Sequence, residues 1–225
     1  MARMCVLGGG LVGRFVASTL HNRGHEVRLV DADSIQDVSS EIEVIQSQIS
    51  ADNLVDYVSD TDVVINCLPG RIGHSIRENL VSINGMRVAD LAFTAEDPRS
   101  LDQLAKNSQA TLIYDVGIAP GLSNAILKAA ETELGTLDSG KIWVGGNPQQ
   151  PDNGWSYMAP FSPSDVIEEY TRPARIRRSG HNVTEPALSE RHFVSVPGYG
   201  SMEAFLTDGV RSLLNTIDSQ ELLEY

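Results

Sequence analysis

The segment Gly8-Gly9-Gly10-Leu11-Val12-Gly13 has the spacing G-x-G-x-x-G. Glycines alone make turns, but the surroundings of these three give them a chemical use. A strand-like run, Met4–Leu7, leads in, and apolar Leu11, Val12, Phe15, Val16 and Leu20 lead out at helical spacing. Asp31 then closes the next strand-like run, 18 residues after Gly13. In such a unit Gly8 permits a tight turn, Gly10 lets backbone N–H groups approach a pyrophosphate, and Gly13 lets helix and strand pack closely. Leu11 and Val12 open a helix whose N-terminus offers N–H donors and a partial positive charge to phosphate. Asp31 suits the ribose hydroxyls, and its charge would repel a 2′-phosphate; Asp33 lies close enough to share the role. The pattern predicts a Rossmann-type unit holding NAD in preference to NADP.

A second crevice signal is Asn66-Cys67-Leu68-Pro69-Gly70, which ends a buried strand-like run. Ligands of open α/β sheets sit beyond the carboxyl ends of the strands, so Cys67, Leu68 and Pro69 are expected beside the nicotinamide half of the cofactor.

These residues need a scaffold, and the first 120 residues alternate short β-branched runs with helical patterns, the signature of βαβ units. Strands are expected at Met4–Leu7, Glu26–Asp31, Val63–Cys67, Arg87–Asp90 and Thr111–Tyr114, with helices at Leu11–Asn22, Ile72–Ile83 and Pro98–Lys106. The acidic stretch Ser34–Asp60 reads as a connection bearing a short helix. After Ala119-Pro120-Gly121 the pattern gives a helix over Leu122–Leu134, a strand over Lys141–Val144 and a loop over Gly145–Gly154. Prolines and interleaved aromatics from Trp155 to Arg178 suggest strands and irregular loops, and Met202–Thr216 reads as a helix. The expected fold is α/β: an N-terminal Rossmann doubly wound parallel sheet over 1–120, then a second α/β (α+β) substrate and dimerisation domain over 121–225.

Composition narrows the partners. With 17 Lys+Arg against 30 Asp+Glu, the formal charge is −13, which disfavours nucleic acid and anionic membrane surfaces. No apolar run approaches the roughly 18–20 residues of a membrane span. The chain enters its first strand within four residues, too short a lead for a signal peptide, so a cytoplasmic protein is expected. Cys5 and Cys67, the only cysteines, sit in apolar segments and read as reduced core thiols, with no metal site. Only Lys106, Lys128 and Lys141 could serve as a catalytic lysine.

Longer motifs are more specific. Cys67–Gly73 (CLPGRIG), Val88–Phe93 (VADLAF) and Asp115–Asn124 (DVGIAPGLSN) resemble the saccharopine dehydrogenase family, as do Val144–Pro148, Phe161–Ala174 (FSPSDVIEEYTRPA) and Phe205–Leu213 (FLTDGVRSL). The nearest likeness is to its lysine 6-dehydrogenase-like branch. The resemblance implies C–N oxidoreduction of an amino acid such as lysine or saccharopine: hydride passes to the nicotinamide and the imine is hydrolysed. A carboxynorspermidine-type dehydrogenase is an alternative, and a truncated, inactive nucleotide-binding protein is another. Such chemistry needs a group for the substrate carboxylate, for which Arg172 is the candidate because guanidinium matches carboxylate bidentately. Asp90, Asn124 and Asp208 are candidates to hold an amine. The base that neutralises the amine is expected at His74, with Tyr157 as rival. The family chain normally runs on past Thr207-Asp208-Gly209, so the resemblance also implies a missing C-terminal segment. Met158 stands where several relatives would place a lysine. A homodimer or higher homo-oligomer is expected.

Overall fold

The computed structural model describes residues 1–148, 154, 157–158 and 161–225. The chain divides into two compact units, Met1–Val116 with Pro160–Asp165, and Gly117–Ala159 with Val166–Tyr225.

The first unit contains β1 (Arg3–Leu7), α1 (Leu11–Asn22), β2 (Glu26–Asp31), β3 (Glu43–Gln46), α2 (Leu54–Val58), β4 (Val63–Asn66), α3 (Gly70–Ser82), β5 (Arg87–Asp90), α4 (Asp102–Ser108) and β6 (Thr111–Tyr114). A 3-10 turn, Pro98–Leu101, precedes α4. The six strands form one sheet in the order β3-β2-β1-β4-β5-β6. Every pair is parallel. This is the doubly wound order, which reverses between β1 and β4 and opens a crevice there. Register brings the strand ends into line: Leu7 lies opposite Val30 and Asn66, and Asn66 opposite Asp90.

Alternation along the strands feeds two cores, because successive side chains of a strand point to opposite faces. Cys5, Leu7, Val30, Val64 and Val88 pack with Leu54 and Val58 of α2 and with Ile76 and Leu80 of α3. Val6, Leu29 and Ile65 pack with Ala17 of α1 on the other face. A parallel sheet clothed on both faces explains why these strands read as continuous apolar runs. Burying a side chain such as Leu7 or Leu80 stabilises the unit by roughly 1.5–3 kcal/mol.

The second unit contains α5 (Leu122–Leu134), β7 (Ser139–Ile142), α6 (Pro163–Thr171), β8 (Ala174–Arg178), β9 (His181–Glu185), β10 (His192–Val196), β11 (Gly200–Ala204), α7 (Leu213–Thr216) and β12 (Glu221–Glu224); the first three residues of α6 belong to the first unit. Its main sheet has the order β7-β12-β8-β9. The β7–β12 pair is parallel and the other two are antiparallel. β10 and β11 form a separate antiparallel pair. Together the two units make an α/β fold with a Rossmann sheet and a second, mixed sheet.

Several elements depart from the pattern-based expectations. The Ser34–Asp60 connection does carry a short helix, α2, but also β3, which joins the sheet as an edge strand. Four residues, mostly exposed, leave too little periodicity to stand out in an acidic stretch. α6 replaces the expected strands and loops, since Pro163 occupies its first position and Pro173 lies beyond its end, both positions a helix tolerates. The predicted helix over Met202–Thr216 is split, with Met202 pairing across to Val194 and only Leu213–Thr216 helical. Residues 145–148 of the expected loop carry no regular element, the strand expected over Lys141–Val144 runs instead over Ser139–Ile142, and 149–153, 155–156 and 159–160 lie outside the described residues. Among the described residues no helix is long and apolar enough to cross a membrane.

Candidate functional site

The glycine loop joins β1 to α1 at the point where the strand order reverses. Gly8 has φ +96°, and its N–H donates to the Val30 carbonyl at 2.8 Å. A Cβ there would lie 2.8 Å from the Cys67 carbonyl oxygen, so both backbone angle and crowding require glycine. At Gly13 a Cβ would lie 1.7 Å from the Gly8 carbonyl oxygen, which fixes how closely α1 crosses the loop. Gly10 differs: a Cβ on it would meet nothing within 4 Å. The crowded glycines shape the loop, and Gly10 leaves its outer face open. Arg14 N–H bonds back to the Gly10 carbonyl at 3.0 Å. The N–H groups of Leu11, Val12 and Gly13 lie upstream of that first rung, where helix donors have no intrahelical acceptor. Open space, unpaired donors and the helix dipole coincide, so the loop fits a dinucleotide pyrophosphate.

Asp31 ends β2 beside this loop. Its carboxylate accepts from the Gly9 N–H at 2.5 Å and from the Asp33 N–H at 2.8 Å. The side chain therefore braces the loop. Asp33 contributes its backbone N–H to that brace.

Below the β4–α3 turn lies a polar network that sequence reasoning missed. Arg77, whose side chain is 0% exposed, forms an ion pair through Nε with Asp90, whose side chain is also 0% exposed. Arg77 Nη1 donates to Thr94 Oγ1 at 3.1 Å and faces His74 Nδ1 at 3.4 Å. Arg77 Nη2 donates to the Ala92 carbonyl at 3.1 Å. Asp90 also accepts from Asn66 Nδ2 at 2.7 Å and the Ala92 N–H at 3.3 Å. Asn66 Oδ1 in turn accepts from the Leu68 N–H at 3.3 Å, tying the turn to the network. Burial pushes the Asp90 carboxyl above the usual carboxylate range, against the pull of the Arg77 guanidinium. Asp90 is thus enclosed and engaged by protein partners, where the sequence expectation was an amine-holding or catalytic carboxylate. A signal was present: Arg77 lies on the apolar stripe of α3, with Gly73, Ile76, Leu80 and Val81. A charge on such a stripe needs a buried partner.

Pro69 caps α3, and His74 lies in its first turns. Gly70 N–H donates to Asp165 Oδ1 at 3.1 Å. Leu68 is buried and Cys67 half-buried. Burial pushes both the Cys5 and Cys67 thiols up to about 12, consistent with inert core thiols.

The remaining candidates lie in the second unit. Asp208, 2% exposed, accepts from Arg175 N–H at 3.0 Å, Nε at 2.8 Å and Nη2 at 2.6 Å. That bidentate ion pair occupies the carboxylate expected to hold a substrate amine, and Arg175 is the partner that sequence reasoning missed. Arg172 Nη2 reaches Glu168 at 3.0 Å, and its Nη1 is 3.9 Å from Asp208. Asn124 Oδ1 accepts from the Gly121 N–H at 3.3 Å, and Asn124 Nδ2 donates to Ser212 Oγ at 2.7 Å. It therefore secures the start of α5. The Tyr157 hydroxyl donates to Glu169 Oε2 at 3.4 Å. Burial, then the neighbouring Glu169 charge, pushes this phenol up to about 12. A phenol so shifted stays protonated near neutrality and donates to Glu169, where the sequence expectation made Tyr157 a rival base. Among the described residues no three His, Cys, Asp or Glu side chains gather as a metal site.

Comparison with known proteins places both units. The saccharopine dehydrogenase NADP binding domain matches residues 4–113, and the saccharopine dehydrogenase C-terminal domain matches residues 117–221. Among solved structures, a proposed oxidoreductase from Magnetospirillum magnetotacticum MS-1 is similar in fold, with TM-score 0.52 and 15% identity over 99% of this chain and 70% of that one. A proposed F420 dependent NADP-reductase from Arthrobacter sp. FB24 gives TM-score 0.40 and 18% identity over 66% of this chain and 75% of that one. A proposed alcohol dehydrogenase from Thermotoga maritima gives TM-score 0.37 and 15% identity over 50% of this chain, and the matched part is only 32% of that structure's length. With both of its domain models matched in order along nearly the whole sequence, the chain belongs to the saccharopine dehydrogenase family.

Proposed function

We propose that this chain is an NAD(P)-dependent oxidoreductase acting on the C–N bond of an amino acid, with lysine or a saccharopine-like compound as substrate and NAD as the preferred cofactor. The observation that carries the cofactor half is the loop at the strand-order reversal, crowded at Gly8 and Gly13 and open at Gly10. Gly10 and the first N–H groups of α1 would hold the pyrophosphate, and Asp31 the adenosine ribose. Cys67, Leu68 and Pro69 would border the nicotinamide end. When bound, a nicotinamide supplies a hydride acceptor for the carbon that carries the substrate amine. The family assignment supports the C–N chemistry and leaves NAD or NADP to the ribose site. There the Asp31 carboxylate favours hydroxyls over a phosphate.

This chain's own residues have narrower tasks. The Arg77–Asp90–Asn66 network holds the Leu68 N–H and hence the turn that borders the nicotinamide end. In the second unit Arg172 is the group assigned to a substrate carboxylate. Its i,i+4 partner Glu168 is half exposed, so an incoming carboxylate would compete with Glu168 for the guanidinium.

Titration with NADH, followed by nicotinamide fluorescence, tests the first half. Gly10→Asp should abolish binding by setting bulk and charge against the pyrophosphate; unchanged affinity would remove the cofactor assignment. Turnover of NAD against lysine, saccharopine and polyamine-precursor amines tests the second half. Activity confined to a non-amine substrate would overturn the C–N assignment.

A further inference from the structure

We propose that Arg77 is a positioning residue that fixes the tautomer of His74, so that neutral His74 presents Nε2–H as a hydrogen-bond donor and cannot serve as the base. Both side chains lie on α3 three residues apart, a spacing that makes them neighbours on one face. Guanidinium has five N–H groups and no acceptor, and it stays charged in proteins. Its Nη1 faces His74 Nδ1 at 3.4 Å, so Nδ1 can complete a hydrogen bond only by accepting. A neutral imidazole carries one hydrogen, and with Nδ1 accepting, that hydrogen sits on Nε2.

The orientation of the guanidinium is set by other contacts. Nε is held by Asp90, Nη2 by the Ala92 carbonyl, and Nη1 also by Thr94 Oγ1. Asp90 is itself pinned by Asn66 and the Ala92 N–H. Arg77 has no exposure through which to swing away. His74 is half-buried and lies one turn into α3, past its N-cap Pro69. The matching chemistry is an acceptor oxygen, a carboxamide or a carboxylate, rather than an ammonium proton awaiting removal. What the donor does in catalysis rests on the function proposed above, whereas the tautomer does not.

The deciding experiment is a two-bond proton–nitrogen correlation of the imidazoles in the full-length chain, labelled with 15N, without ligand and at a pH where histidines are neutral. His74→Gln identifies the His74 signals by their loss. We expect a single fixed tautomer at His74, with a pyridine-like Nδ1 and a pyrrole-like Nε2. The exposed His181 in the same spectrum serves as a reference for an averaging imidazole. A His74 pattern matching that of His181, or one with hydrogen on Nδ1, would overturn the proposal. Arg77→Met made together with Asp90→Leu removes both buried charges, and in the folded double variant His74 should lapse to averaging; retention of the fixed pattern would sink the role of Arg77. Once turnover on an amine is measured, His74→Gln, which keeps a donor in place of Nε2 but cannot take up a proton, should lose at least about threefold less kcat/KM than His74→Phe. Equal losses in the two variants would return His74 to the base.

Discussion

Two glycines of the same loop should separate binding from folding. At Gly13 an added Cβ would lie 1.7 Å from the Gly8 carbonyl oxygen, half the 3.4 Å at which ordinary contact begins. Relief requires α1 to lift from the loop, an overpacking that costs about 1–3 kcal/mol. For a chain of this size that lowers Tm by roughly 2–12 °C. At Gly10 the added methyl meets nothing within 4 Å, and φ −65° with ψ −167° suits any L-residue. Gly10→Ala should therefore leave Tm unchanged or raise it slightly, since replacing a compatible glycine stabilises by about 0.4–1 kcal/mol. The same methyl stands where the pyrophosphate would approach, so NADH affinity should fall by about tenfold or more, about 1.4 kcal/mol. Thermal unfolding and NADH fluorescence titration on both variants provide the assay. Wild-type affinity in Gly10→Ala would refute the cradle, and an unchanged Tm in Gly13→Ala would refute the packing that shapes it.

Further outcomes follow from the charged groups. Arg77→Met alone leaves Asp90 buried without its counter-ion and should destabilise by about 3–5 kcal/mol, read by urea unfolding. Asp208→Asn should lower stability by about 1.5–3 kcal/mol, because it weakens the charged hydrogen bonds from Arg175. A raised KM with unchanged stability would instead make Asp208 a substrate ligand. Tyr157 has its folded pKa raised from 10.0 to about 12, so its contribution to stability is complete below pH 10 and lost as pH climbs through 12. Tyr157→Phe should remove that part of the alkaline loss, measured as Tm between pH 9 and 12. A thiol-reactive disulfide dye at pH 8 should label neither Cys5 nor Cys67 until the chain unfolds, and rapid labelling of Cys67 in the native protein would contradict its shift to about 12.

Local spacing by itself determined a good deal. Five glycine-loop positions, Asp31 at a strand end, and the limits of α1, β2, β5, β6 and α5 follow from periods of 2 and 3.6 and from turn chemistry, which depend only on near neighbours. The family motifs likewise lie within short runs. Elements with weak or interrupted periods were not legible in this way. β3 is short and mostly exposed, β10 and β11 are defined by pairing with each other, and α6 is disguised by the prolines at its ends. Only the tertiary structure decided which charges meet. Asp90 finds Arg77 thirteen residues away along α3 and β5, and Asp208 finds Arg175 thirty-three residues away. No spacing rule encodes such pairs, because burial raises the cost of an isolated charge and the fold then selects whichever partner lies within reach. For that reason the loop that would hold the cofactor could be read from the sequence, while the partners of Asp90, Asp208 and Tyr157 could not.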